Sequence, residues 1–373
     1  MSFISAAGQE KLNGSCAVTT KKTAFTGLVP APLAALYSRE SQSLDETLEV
    51  GAFNDPLYDT WPIDDLSVDI YALDHDSEYD VLAALFQTLT ASPTANHMIT
   101  EAAHDGWEAG LADLGGFDFH IDAPGRKIFL HNKGLSAAGL MRSPYFKNDL
   151  LIALLRALRD VAHEKRQGGF DERFGPDDIL KLERVRAADC DVMTVLCAWE
   201  LRETGVNSLW RHILALGEGD LALTFQDTLE REKLAYPVHK ALKAAFDQWY
   251  RDTKRVNACD HETLEYIDQV LMTFPAGDAF GHQAICARDI ESLSCLPDRT
   301  AYLHNAGESI LKAPLYAGLH DPVNQSHYMQ VLHDAQAITV QGVPFRDAAL
   351  AARIFPGGEM TPEKDSLPVQ DAR

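Results

Sequence analysis

From Asp80 onward apolar residues recur at helical spacing: Val81, Leu82, Leu85, Phe86 and Leu89 lie three and four positions apart, and Ser92-Pro93 ends the run. A second helix is predicted from about Thr94 to Leu114. The period then changes to two. Phe117, Phe119 and Ile121 alternate with Asp118, His120 and Asp122, Pro124-Gly125 supplies a tight turn, and Lys127 to His131 returns, which predicts a β-hairpin over 117–131. Ser143-Pro144 precedes a helix over about 148–166 that Gly168-Gly169 terminates. Gly175-Pro176-Asp177-Asp178 is a strong helix start, with proline in the first turn and two acids on the positive end of the helix dipole; the pattern runs to about Glu203. Further helices are predicted at about 207–216, 219–231, 238–254 and 260–273.

The two ends of the chain read differently. Residues 1–78 lack sustained periodicity and end in an acidic run (Asp64, Asp65, Asp69, Asp74, Asp76, Glu78), so they are read as an extended, partly disordered acidic arm, with Val68-Asp69-Ile70-Tyr71 as a candidate strand. Residues 79–274 form the helical core. Residues 275–355 are a mixed region packed on it, with short helices around 287–293 and 322–337 and extended pieces at Ala301-Tyr302-Leu303 and Ala337-Ile338-Thr339-Val340, and 356–373 a flexible tail. The expected class is mostly α, of the α+β kind.

Composition narrows the function classes. The chain has 373 residues, 46% apolar and 24% charged, as in ordinary globular proteins, and 33 basic against 55 acidic residues give a formal charge of −22. Such a surface repels phosphate backbones and anionic lipid, which argues against nucleic-acid and membrane-surface binding. No window is long and apolar enough to span a bilayer, and the first 35 residues lack the apolar stretch of a signal peptide. Six cysteines (Cys16, Cys190, Cys197, Cys259, Cys286, Cys295) without a Cys-x-x-Cys pair read as reduced thiols in a cytoplasmic protein. Gly-x-x-x-x-Gly-Lys, Gly-x-Gly-x-x-Gly and Gly-x-Ser-x-Gly motifs are absent, which disfavours common nucleotide-binding and serine-hydrolase readings.

The chemistry concentrates at Val161-Ala162-His163-Glu164-Lys165-Arg166-Gln167. This is one residue short of His-Glu-x-x-His, which places two imidazoles one helical turn apart on zinc and leaves the glutamate to act on bound water. Gln167 stands where the second histidine would be. The order helix, hairpin, His-Glu helix, further helix is the minimal topology of a zincin-like core. In that fold a third ligand often comes from a glutamate on the following helix, where this chain has Arg186-Ala187-Ala188-Asp189-Cys190-Asp191: Ala187 aligns with the ligand and Asp189 with the aspartate two residues on. On these residues the chain resembles a proteobacterial domain family of unknown function described as a metallopeptidase. The resemblance is sharpest over Leu150 to Glu203, and extends from about Asp80 to Leu271, Phe246-Asp247-Gln248-Trp249-Tyr250 included. It implies a zincin-like fold and peptidase ancestry, with Gln167 and Ala187 as former ligand positions.

Helical geometry adds an independent reading. At about 100° per residue, His163 and Gln167 share a polar face with Asp149, Ile152, Arg156, Arg159 and Asp160, while Leu150, Leu151, Leu154, Leu155, Leu158 and Val161 occupy the other side. Such a face lines a cleft, or is solvated or salt-bridged. Leu182, Val185, Val192 and Leu196 bracket Asp189 on an apolar stripe, so its carboxylate is expected to face the interior and to need His163, Arg156 or Arg159 as partner. It then acts as a structural ion pair, as a possible metal ligand, or as the group that orients a ligand imidazole. Cys259-Asp260-His261-Glu262 with Glu265 reads either as a helix start capped by Asp260 or as a metal cluster. His97 with His104 share one helix face two turns apart, His120 and His131 are expected to face one another on the hairpin, and Cys190 with Cys197 read as core residues.

Three functions follow from this. The first is a catalytically degenerate metallopeptidase-like protein that needs no cofactor and acts as a non-catalytic or interaction protein with an unknown protein partner. The second is an active zinc-dependent hydrolase in which His163 is a ligand, Glu164 the general base and Asp189 part of an atypical site, supported by Arg156, Arg159 and Asp160. The third is a purely structural helical scaffold.

Overall fold

A computed structural model of the chain describes residues 58–67, 77–167, 173–231, 237–273 and 280–335, with short pieces at 338–340, 343–345, 353 and 360–361. In chain order the elements are β1 (Thr60–Pro62), α1 (Ile63–Leu66), α2 (Glu78–Leu89), α3 (Pro93–His104), β2 (Glu108–Ala112), β3 (Phe119–Asp122), β4 (Lys127–His131), α4 (Ala137–Arg142), α5 (Pro144–Gln167), α6 (Pro176–Glu203), α7 (Ser208–Ala215), α8 (Gly219–Arg231), α9 (Pro237–Trp249) and α10 (Thr253–Thr273). There follow α11 (Ala287–Leu293), α12 (Gly307–Lys312), α13 (Pro322–Ala335), β5 (Ile338–Val340), β6 (Val343–Phe345) and β7 (Met360–Thr361). The fold is mostly α with a small sheet, the expected α+β class.

The hairpin of β3 and β4 forms, with Phe119 opposite Leu130 and Asp122 opposite Lys127. It belongs to a four-stranded sheet of order β1-β2-β4-β3, in which β2 runs parallel to β4 and β1 antiparallel to β2. The long second helix expected to reach Leu114 therefore stops ten residues early. Gly106 adopts a positive φ of 75° just past the end of α3, a conformation open to glycine, and Glu108–Ala112 turns into the sheet. The alanine-rich Glu-Ala-Gly-Leu-Ala carries no strand periodicity of its own; its pairing with β4 makes it a strand.

Part of the supposed arm is also packed. Thr60–Pro62 pairs with β2, and Ile63 and Leu66 are fully buried in the main apolar core. The acidic run hid this because only two of four residues in α1 face inward. The remainder of the arm (1–57 and 68–76, with the candidate strand at 68–71) lies outside the described residues, as does most of the tail beyond 355 except Met360–Thr361, which pairs with β5.

α5 and α6 pack on each other at the centre. Both are buried on nearly all sides: α5 buries Leu150, Leu151, Leu154, Leu155, Leu158 and Val161 together with Arg156, Arg159, Asp160 and His163. α6 likewise buries Val185, Val192 and Leu196 together with Arg184, Arg186, Asp189 and Asp191. The polar face of α5 is thus salt-bridged rather than solvated. α10 starts at Thr253, not at 260, so Asp260 is no cap. It lies inside the helix, fully buried, because the Arg184 guanidinium takes both its oxygens, through Nε at 2.5 Å and Nη2 at 2.7 Å.

α3 is held to α6 by one carboxylate. Ser92 caps α3 through Ala95 N, and Glu200 of α6 accepts from Ser92 Oγ (2.5 Å), Thr94 N (2.9 Å) and Thr94 Oγ1 (2.7 Å) at the positive end of the α3 dipole. Glu200→Ala is expected to lower unfolding free energy by about 1–3 kcal/mol, since it strands a backbone amide and two hydroxyls. Urea denaturation of the variant against the parent measures this; an unchanged midpoint would show that water replaces the carboxylate at no cost.

Candidate functional site

His163 projects from the last turns of α5 and is completely buried. Its Nε2 donates to Asp189 Oδ2 of α6 at 2.8 Å. Arg159, one turn earlier on α5, grips the same carboxylate with its fork, Nε toward Oδ2 and Nη2 toward Oδ1 at 3.2 Å. Tyr302 Oη donates to Asp189 Oδ1 at 2.8 Å from the distant segment after α11. Arg159 also reaches two carbonyls of that region, Leu293 O at 2.8 Å and Cys295 O at 3.0 Å. One aspartate therefore ties α5, α6 and the 293–302 segment together.

The electrostatics follow from this packing. Burial raises the Asp189 carboxyl, but the Arg159 guanidinium and the His163 ring more than reverse that rise and hold it well below the usual carboxylate range. Burial, with the neighbouring carboxylates Asp160 and Asp189, pushes the Cys190 thiol well above its ordinary range. Cys190 Sγ lies 3.9 Å from His163 Nδ1, so Cys190, His163 and Asp189 follow the connectivity of a cysteine-nucleophile triad. Cys190 and Asp189 are both buried, and the raised thiol favours its protonated form, the opposite of the exposed, activated thiolate that a nucleophile needs.

The other sequence candidates fall into neighbouring ion pairs. Arg186 of α6 donates to Asp160 Oδ1 at 2.7 Å and to Glu164 Oε1 at 2.9 Å, with Glu183 Oε1 at 3.4 Å. Glu164 is thus a partner of Arg186; burial raises its carboxyl above the ordinary range, Arg186 opposing and Asp160 adding to the rise. Arg156 donates to Asp191 Oδ1 at 2.8 Å and Glu218 Oε1 at 2.6 Å, and Trp249 Nε1 takes the second oxygen of Asp191 at 2.9 Å. Asp160 Oδ2 and Arg186 Nε are buried without a hydrogen-bond partner among the described residues.

Gln167 and Ala187, the positions that the motif alignment pairs with ligands, do not converge on His163. Gln167 Nε2 donates to Asp289 O at 2.6 Å and Ser292 Oγ at 2.8 Å, both on α11, whereas His163 is directed to α6. Ala187 is packed in the apolar core, two residues from Asp189 and so about 200° around α6 from the carboxylate that meets His163. Zinc at the motif would need donors about 2.0–2.3 Å from one centre. Ala187 has none, the Gln167 amide is turned away to α11, and the carboxylate facing His163 already carries the Arg159 guanidinium. These residues do not fit a zinc ion. Asp160, His163 and Cys190 do offer three donor atoms within 4.8 Å of one another. Arg186 already sits on Asp160, Arg159 lies beside Asp189, and two guanidiniums oppose a dication.

Outside this centre, His97 and His104 are exposed on α3. His120 pairs opposite Phe129, and His131 accepts from Leu114 N at 3.1 Å, so the two hairpin histidines are diagonal rather than opposed. Cys190 and Cys197 are buried, as expected of core residues. Sequence reasoning missed Tyr302, Arg186, Trp249 and Asp191. Buried Asp189 and Asp191 two residues apart imply two separate cations, a signal that pointed to Arg156 and Arg159 both being used; nothing local signals Tyr302, 113 residues downstream of its partner.

Residues 143–303 match the model of a family described as "Putative metallopeptidase family (DUF6782)". The match begins at the residue before α5 and ends one residue after Tyr302, so it contains the whole Asp189 network. No curated protein and no solved structure matches the chain.

Asp189→Asn leaves the Arg159 guanidinium buried without its counter-charge and is expected to cost about 3–5 kcal/mol at neutral pH. Because the folded carboxyl is depressed, the stabilisation is fully present above the unfolded value, about pH 4, and is lost as pH falls through the lower folded value. The gap between parent and variant in urea denaturation should therefore stay constant from neutral pH down to about 5 and narrow below about 4. A gap that grows on acidification would contradict the depressed carboxyl.

Proposed function

We propose that this chain is a non-catalytic, metallopeptidase-like protein in which an ion-paired core stands where a metal site would be, and that it acts by binding rather than by turnover. The observation that carries this is the Arg159 guanidinium on Asp189: the carboxylate that meets the motif histidine is already neutralised by a fixed buried cation. A hydrolytic site needs the opposite arrangement, with an anionic carboxylate and imidazoles turned toward an open coordination position, and a general base within reach of bound water. Here Glu164 is turned to Arg186, and His163 has no exposed surface. The residues that remain of the motif hold α5 against α6.

Two variants test the reading. Glu164→Gln should leave hydrolysis of unstructured protein and peptide substrates at the level of the parent, which should equal background, while lowering stability through the weakened Arg186 pair. His163→Ala should leave the metal content of protein purified without chelators unchanged. Zinc-dependent hydrolysis that disappears in Glu164→Gln, or metal lost on changing His163, would establish the active zinc hydrolase in its place.

A further inference from the structure

α10 and α13 lie against each other along one stripe of each. Asn324, buried near the start of α13, donates through Nδ2 to Asn257 O of α10 at 2.8 Å, and Val331 is fully buried one turn beyond His327. These contacts fix the register of the pair. In that register His261 and Glu265 of α10, four apart on one face, meet His327 of α13, and one ring nitrogen of each histidine and a Glu265 carboxylate oxygen lie within 4.8 Å of one another. His261 Nε2 is 3.8 Å from Glu265 Oε1, and the two imidazole rings stand edge to face with centroids 6.4 Å apart. His327 Nε2 donates to Asp268 Oδ2 at 2.5 Å.

An exposed His–Glu pair on a helix contributes little by itself. The convergence is more specific than that. Three donors from two separately anchored helices lie within 4.8 Å of one another, and a carboxylate behind one imidazole fixes its ring; an imidazole whose Nε2–H is held in this way offers Nδ1 to a metal. Two imidazoles and one carboxylate select zinc and its neighbours in the first transition row over magnesium and calcium, which prefer all-oxygen shells. The chain's formal charge of −22 favours accumulation of cations near its surface.

We propose that His261, Glu265 and His327 form a binding site for a divalent transition-metal ion of the zinc class, with Asp268 orienting His327 and water completing the coordination, and that the ion clips α13 onto α10. The site is separate from the His163 centre and shares no residue with it. Binding to the folded chain alone raises its stability by mass action.

The test uses the full chain, treated with chelator and then titrated with zinc chloride, followed by calorimetry and thermal unfolding. The parent should bind about one zinc per chain and unfold at higher temperature with zinc, and magnesium or calcium should do neither. His261→Ala and His327→Ala should each abolish the zinc-dependent shift. Asp268→Asn should weaken binding by about 10–100-fold, the range for loss of a carboxylate that orients a ligand histidine. His163→Ala should bind as the parent does. His261 has a side chain 53% exposed, so its replacement should leave the fold intact, and circular dichroism checks this. Zinc binding at parental affinity in the His261→Ala/His327→Ala double variant, or no binding by the parent at millimolar zinc, would overturn the assignment.

Discussion

A buried carboxylate cannot stand alone, and the requirement that Asp189 be neutralised organises the centre of this molecule. Its partners come from three places in the chain: Arg159 and His163 on α5, and Tyr302 beyond α11. Arg159 in turn satisfies two carbonyls of the 293–295 turn, so the charge that compensates Asp189 also fixes the segment that covers it. Buried ion pairs of this kind add little net stability over an apolar core of equal volume, yet losing one partner is costly. Their effect is on register: α5 and α6 can slide or rotate only by stranding a full charge.

The same logic repeats along the helix pair. Arg156 with Asp191, and Arg186 with Asp160 and Glu164, join α6 to α5, and Arg184 with Asp260 joins it to α10. α6 is therefore a ladder of charges in an apolar setting, and every rung names its partner. A cleft along the polar face of α5 would require these rungs to face water. Instead α6, α11 and the 293–302 segment close over them, and His163 and Glu164 become structural partners of an aspartate and an arginine.

Much of the fold was legible because it is local. The helix from Pro176 to Glu203 followed from Pro176 in the first turn, two acids on the dipole and long apolar periodicity. The hairpin at 119–131 followed from strict alternation about Pro124-Gly125. Where a residue's state depends on a distant neighbour, the reading failed. Glu108–Ala112 is a strand because β4 lies alongside, Ile63 and Leu66 are core because β1 docks on β2, and Asp260 can be buried within α10 because Arg184 reaches it.

The sequence by itself determined that Asp189 lies on an apolar stripe and must find a cation, that His163 and Gln167 share a helix face, and that the positions aligned with ligands offer a weakly binding amide at Gln167 and no donor at Ala187. These follow from helical periodicity and side-chain chemistry. Only the tertiary structure decided which cation answers: Arg159 for Asp189, leaving Arg156 to Asp191 and Arg186 to Asp160 and Glu164. It also separated Gln167, which turns to α11, from His163, which turns to α6, and brought His327 beside His261 and Glu265. Periodicity fixes the direction in which a side chain leaves its own helix, but which charge waits there depends on how helices far apart in the chain cross, and that is set by packing the whole core at once.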